Sequence, residues 1–261
     1  MSEQFDRGNW GRTDRYSVPL RLSRWFAVFP ILVGGACAPS PAADPFLVSR
    51  LEFYDRVETI VATPVSLPEG VDAPDSVLTW FENLIEDALR QAGFTVVPVQ
   101  TYVDIWNRIN QEAGGFFDPF TGQRDEARYE AGVSELFDEL RERFSPDAIL
   151  YPEMWIVEAP TSGGHARWDG ATQPVGTSAV SAVLALSLAT VLQDMDGAEL
   201  YSNAWGLEVL EVYNRSLRVF VPVPSEDLFA DQERNTTAIT KALGHLIDQS
   251  TTDTGTVPAA H

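Results

Sequence analysis

Val57 to Val65 reads VETIVATPV, a β-branched run closed by proline that suits a buried strand. After a loop, PDSVLTWFENLIEDALRQAG places Leu78, Phe81, Ile85, Ala88 and Ala92 at three-to-four spacing. That is a helix, with Asp75 or Ser76 as its cap and Gly93 closing it. FTVVPV (94–99) predicts the next strand, and Tyr102 to Asn110 a short helical piece. A longer helix is expected from about Asp125 to Phe144, striped by Tyr129, Val133, Leu136, Phe137, Leu140 and Phe144. Pro146-Asp147 ends it, and AILYPEMWIVEA is strand again. A polar, glycine-rich connection from Pro160 to Gly176 leads to SAVSAVLALSLATVLQ, in which Val180, Leu184, Leu186, Leu188 and Leu192 alternate with mostly Ala and Ser. A period of two predicts a strand. Asp196-Gly197 supplies the turn, and ELYSNAWGLEVLEVY returns beside it. An extended piece, SLRVFVPVP, precedes a last helix capped by Ser225 and striped by Ala238, Ile239, Ala242, Leu243, Leu246 and Ile247.

The expected order is therefore β-α-β-α-α-β-β-β-α. Parallel β-α-β units run into an antiparallel hairpin, which makes an α/β (α+β) fold: one domain with a mixed β-sheet covered by helices. The domain is expected over 46–250, with a loose tail over 251–261. No internal repeat is present.

The first 45 residues follow a different pattern. Arg21 and Arg24 precede an apolar run from Trp25 to Val33, followed by Gly34, Gly35, Ala36 and the single cysteine, Cys37. Basic segment, short apolar segment and small residues form the layout of an export signal. A helix crossing a bilayer needs about 20 apolar residues, more than this run supplies. The approach to the cysteine resembles the lipobox of bacterial lipoproteins, with Gly34 standing where that pattern carries leucine. The resemblance implies a signal peptide over 1–36, acylation of Cys37, and a tether over 37–45 in which APSPAADP resists helix formation. Ala38 after the cysteine implies an outer-membrane address facing the periplasm.

Charge narrows the partners. The chain has 18 basic and 38 acidic residues, net −20. Arg7, Arg12, Arg15, Arg21 and Arg24 against Glu3, Asp6 and Asp14 occupy the leader, so 13 basic and 35 acidic residues follow it, net −22. Such a surface repels phosphate backbones, and no nucleic-acid partner is expected. No zinc motif, P-loop or GxSxG elbow occurs, and neither cofactor nor metal is expected. Acidic pairs such as Glu86-Asp87 and Asp138-Glu139 read as solvated charge on polar helix faces.

The span from about Val57 to Gln249 resembles a group of bacterial envelope lipoproteins. These share a small α/β domain with the N-terminal domain of the Tol-system translocation protein and with the curli secretion lipoprotein. The text that carries the resemblance is "TPV", "ALRQAGFTVVPV", "SPDAILYPEMWI" and "LSLATVLQDMDGAELYSNAWG". It implies a non-catalytic accessory or assembly role at the envelope, through contacts with other envelope proteins; self-association into a homo-oligomer is a separate expectation, from the hairpin face described below. The pore-forming activity of the curli protein is not carried over, because the loop from Pro160 to Gly176 lacks the alternation of a pore strand.

Two surfaces invite contact. The loop EAGGFFDPFTGQRDE (112–126) holds Phe116, Phe117, Asp118 and Phe120, which either pack against the core or present an apolar contact to a partner. Asp118 and Asp125 lack the oxygen spacing of a calcium loop. On the hairpin, Ala179, Ser181, Ala185, Ser187 and Ala189 form a small-residue face that suits another sheet, a subunit or a close-packed helix. The other readings are a small-ligand or glycan site lined by Trp155, Trp168 and Trp205, and a divergent hydrolase gathering His165 with a carboxylate and a serine.

Overall fold

A computed structural model describes residues 44–177, 180–225 and 227–248. The leader, Cys37, most of the tether, Ala179 and the 251–261 tail lie outside the described residues. The first half of the chain runs α1 (Arg50–Arg56), β1 (Thr59–Ala62), α2 (Asp75–Gln91), β2 (Thr95–Val97), α3 (Val99–Glu112) and α4 (Glu126–Phe144). The second half runs β3 (Ala148–Ser162), β4 (His165–Trp168), β5 (Ala171–Pro174), β6 (Ala182–Asp194), β7 (Glu199–Val209), β8 (Glu211–Asn214), β9 (Val219–Pro222) and α5 (Gln232–Ile247).

The sheet is mixed, as expected. β1 pairs in parallel with β2 and β3, while β6 pairs antiparallel with both β3 and β7. β4 and β5 continue from the far end of β3 as a flap. On one face, Ile60, Leu150, Met154, Leu188 and Leu192 pack with Phe81, Ile85 and Leu89 of α2 and with Ala238, Ala242 and Leu246 of α5. On the other, Val61 and Ile149 pack with Tyr102, Ile105 and Ile109 of α3 and with Leu136 and Leu140 of α4.

Side chains close what the backbone leaves open. The Asp147 carboxylate accepts the N–H groups of Glu58 and Thr59 at 2.9 and 2.8 Å, clamping the start of β1 to β3. Glu86 corrects the reading of its pair as solvated charge. It is only 7% exposed and accepts the N–H of Val99 at 2.8 Å, where Pro98 at the N-cap brings no side-chain acceptor to the start of α3. Caps also depart from expectation. Pro74 rather than Asp75 or Ser76 is the N-cap of α2, and Asp231 rather than Ser225 caps α5 through the N–H of Arg234.

α5 bends at Gly244 (φ 20°, ψ −100°). Around the bend its carbonyls accept from the sheet: Thr190 and Tyr201 reach Ala242 O, Tyr201 also reaches Leu243 O, and Asn203 reaches Lys241 O. The outer edge of β7 is closed as well. Residues 45–47 pair with it through Ser202 N–H to Pro45 O and Leu47 N–H to Leu200 O, both 2.9 Å. Farther along, Gly206 N–H donates to Asp169 O, and the Gln173 amide spans Leu207 O and Val209 N–H. An edge paired in this way offers no free ladder to another chain.

Candidate functional site

The phenylalanine loop divides by position. Gly114 and Gly115, whose N–H groups donate to Gln111 O and Asn110 O, close the end of α3, and the chain then doubles back through the Phe117–Arg124 bridge and the Asp118 N–H to Gln123 O bond. Phe116 is 3% exposed and sits between Trp106 and Tyr129, its ring centroid 4.9 and 5.7 Å from theirs. Gly132 of α4 makes room for it, since a Cβ there would lie 2.5 Å from Phe116 Cζ. Asp118 accepts the N–H groups of Thr121 and Phe120, which lowers its carboxyl below the usual range and sets the turn. Phe120 stands at the tip, 96% exposed, with Phe117 partly exposed beside it. Replacing Phe116 by serine is expected to lower stability by about 3 kcal/mol, as for other buried aromatics. Phe120→Ser is expected to leave the melting midpoint within the scatter of surface changes. Thermal melts of the two variants check the division.

The small-residue face is not an open platform. Ser181 is exposed, whereas Ala185, Ser187 and Ala189 are buried, and what packs over Ala185 is the β4–β5 flap rather than a helix. The segment HARW alternates outward and inward, so Ala166 and Trp168 point at the sheet. Trp168 packs in the cluster that holds Ala185 and Val183, and its indole N–H donates to Leu186 O at 3.1 Å. Short side chains on β6 leave the space that the indole fills. Beyond the flap, the Ser187 hydroxyl donates to Asp169 at 2.6 Å.

Past Asp169 the flap no longer covers the face, which there borders a hollow of about 320 Å³. Ala189 and Ala204, opposite each other in register, line it together with Trp155 and Pro45, and Asp44 and Asp169 add carboxylates. Trp155 is 44% exposed and held by a 3.0 Å bond from its indole N–H to Glu153. Asp44 is bridged to Arg50 at 3.3 Å, so it is the indole face beside Asp169 that suits a cationic or amphipathic group. Sequence reading singled out Trp155 but not its setting, because Asp44, Asp169 and Ala204 are far apart along the chain.

The other predicted aromatics lie elsewhere. Trp168 is buried, and Trp205 lines a separate hollow against the start of α5, with Lys241 5.8 Å above its ring. His165 is exposed on β4, its Nδ1 3.2 Å from Gly163 O.

Beside the Trp205 hollow, Glu208 pairs with Arg234, a residue that sequence reading passed over. The lone carboxylate in the otherwise uncharged run AWGLEVL was its signal. Desolvation pushes the Glu208 carboxyl up to about 6, against the pull of Arg234 and of the Val209 N–H. A carboxyl raised on folding contributes stability fully below its unfolded value and loses that contribution as the pH climbs through 6. The stability of Glu208→Gln relative to the parent should therefore rise between pH 4.5 and 7.5, by up to about 2 kcal/mol. Melts across that range test this, and a difference independent of pH would contradict it. The pair ties the first turn of α5 to β7, which is a structural task.

No family model matches this chain, and no curated protein matches it. Among solved structures it is similar to the PelC dodecamer from Paraburkholderia phytofirmans, at 12% identity and a TM-score of 0.30 over 72% of this chain and 86% of that one. A point variant of the same dodecamer gives 13% and 0.31 over the same shares. Lipoprotein GNA1162 from Neisseria meningitidis is similar at 21% identity and a TM-score of 0.28, over 61% of this chain and 88% of that one.

Proposed function

We propose that the protein is a lipid-anchored lipoprotein of the bacterial envelope, held at the outer membrane through acylated Cys37 and facing the periplasm. It acts there as an accessory module that binds other proteins and catalyses no reaction. The observation that carries this reading is the junction of tether and domain. The basic, apolar and small-residue segments end at Cys37, a proline-rich stretch follows, and residues 45–47 are already paired with β7. The domain thus begins within about 27 Å of chain from the cysteine, at an extended reach of about 3.4 Å per residue. Among the described residues no helix is long and apolar enough to cross a membrane. Contact as the mode of action is supported by Phe120, an exposed aromatic on a turn that the Asp118 carboxylate holds in place.

Radiolabelled palmitate and detergent partitioning test the anchor. The parent is expected to take up label and enter the detergent phase, and Cys37→Ser to do neither, since two or three acyl chains hold firmly where none leaves only a soluble domain. Unchanged partitioning of Cys37→Ser would overturn the anchor. Pull-down with Phe117→Ser and Phe120→Ser tests the contact role: loss of a partner at unchanged melting temperature supports it. A second reading, a site for a small ligand or an envelope glycan, is favoured by the exposure of Trp155 over its hollow.

A further inference from the structure

The charges of this protein are unevenly paired. Every arginine on the five helices lies within ion-pair distance of a carboxylate. Arg215 and Arg218, at the tip of the β8–β9 hairpin, have no carboxylate partner among the described residues. Between them Leu217 is 65% exposed, and Val219 follows at 50%. This tip is built rather than loose. The Asn214 side chain accepts the N–H groups of Ser216 and Leu217 at 3.0 Å each, and Arg218 N–H closes the turn on Asn214 O at 2.8 Å. Tyr213 and Phe220 meet edge to face at its base, 5.5 Å apart. A basic, apolar, preorganised tip on a chain of net charge −20 has its complement in the Trp155 hollow, which offers an indole, short apolar side chains and the Asp169 carboxylate, its second carboxylate, Asp44, being bridged to Arg50.

One chain cannot join the two. The hairpin is tied to Val175 and Gly176 by Tyr213 N–H and by the Arg215 side chain, at one end of the flap, whereas Asp169 stands at the other. We infer that the β8–β9 tip of one copy seats in the Trp155 hollow of a second copy, Leu217 against Ala189 and Ala204 and the arginines against Asp169 and the indole. The contact is heterologous, head to tail, so it repeats from copy to copy. It rests on the contact reading above and gives it a partner: the chain itself. A single tip buries little surface, so the contact is weak in dilute solution and gains from confinement at a membrane.

The test uses two differently tagged full-length copies in intact cells, one carrying Leu217→Cys and the other Ala204→Cys, with a bismaleimide. The mixed pair is expected to crosslink, and two Leu217→Cys copies are not. Adding Arg215→Glu and Arg218→Glu to the Leu217→Cys copy should cut the yield about tenfold, as two attractive charges turned repulsive toward Asp169 allow. A mixed yield no greater than that of two Leu217→Cys copies, or one insensitive to the charge reversal, overturns the proposal. So does protection of Ala204→Cys by glycan fragments, or loss of binding to anionic vesicles on charge reversal, when no mixed crosslink forms. Palmitate labelling reports on Cys37 separately, so the anchor and the contact stand or fall on different measurements.

Discussion

Replacing Trp168 by alanine is expected to lower the stability of the domain by about 3–5 kcal/mol, the range for a buried aromatic whose space does not refill. The indole is the plug between flap and sheet: it packs in the cluster of Ala185, Val183 and Val175 and donates to Leu186 O. Its removal opens a cavity over side chains too short to close it and leaves a buried carbonyl without that donor. Urea unfolding gives the loss, and hydrogen exchange at the amides of β4, β5 and β6 locates it. Gly206→Ala should act in the same direction, because a Cβ at that position would lie 2.6 Å from both Trp168 Nε1 and Ala171 Cβ. An unchanged midpoint in Trp168→Ala, with β4 and β5 protected as before, would mean that the flap is held by something other than this side chain.

Tyr201→Ala is expected to lose a similar amount, and Tyr201→Phe about 1 kcal/mol of it. The ring is fully buried against Phe46 at 5.1 Å between centroids, which holds the incoming chain on β7. The hydroxyl donates to Ala242 O and Leu243 O at 3.0 Å, where α5 bends at Gly244. The phenylalanine variant keeps the packing and removes only the grip on the bend, so the difference between the two melts apportions the roles. Equal losses would place the whole effect in the hydroxyl.

Much of the architecture was legible along the chain. The stripe Phe81, Ile85 and Leu89 marks the buried side of α2, and Gly93, at φ +98°, ends it as read. The alternation from Leu184 to Leu192 marks a strand, and the mixed sheet follows from the order of elements. The read order lacked α1 and the two short hairpins. Residues 160–176 read as a polar connection because their inward positions number so few: Ala166 and Trp168 on β4, then Val175. The phenylalanine loop stands out in the sequence, but not the division between Phe116 buried inside it and Phe120 exposed at its tip.

By itself the sequence determined the basic, apolar and small-residue order ahead of Cys37, the acidic charge balance, and which side of each long helix and strand is apolar, because periodicity is a local property of the repeat. Only the tertiary structure decided what lies against each side. Glu86 became a buried acceptor through Val99, the small face of β6 became the seat of Trp168, and Asp44, Trp155 and Asp169 met around one hollow. The reason is distance along the chain: these encounters join segments whose separate patterns carry no record of one another, and the closing of the sheet brings them together.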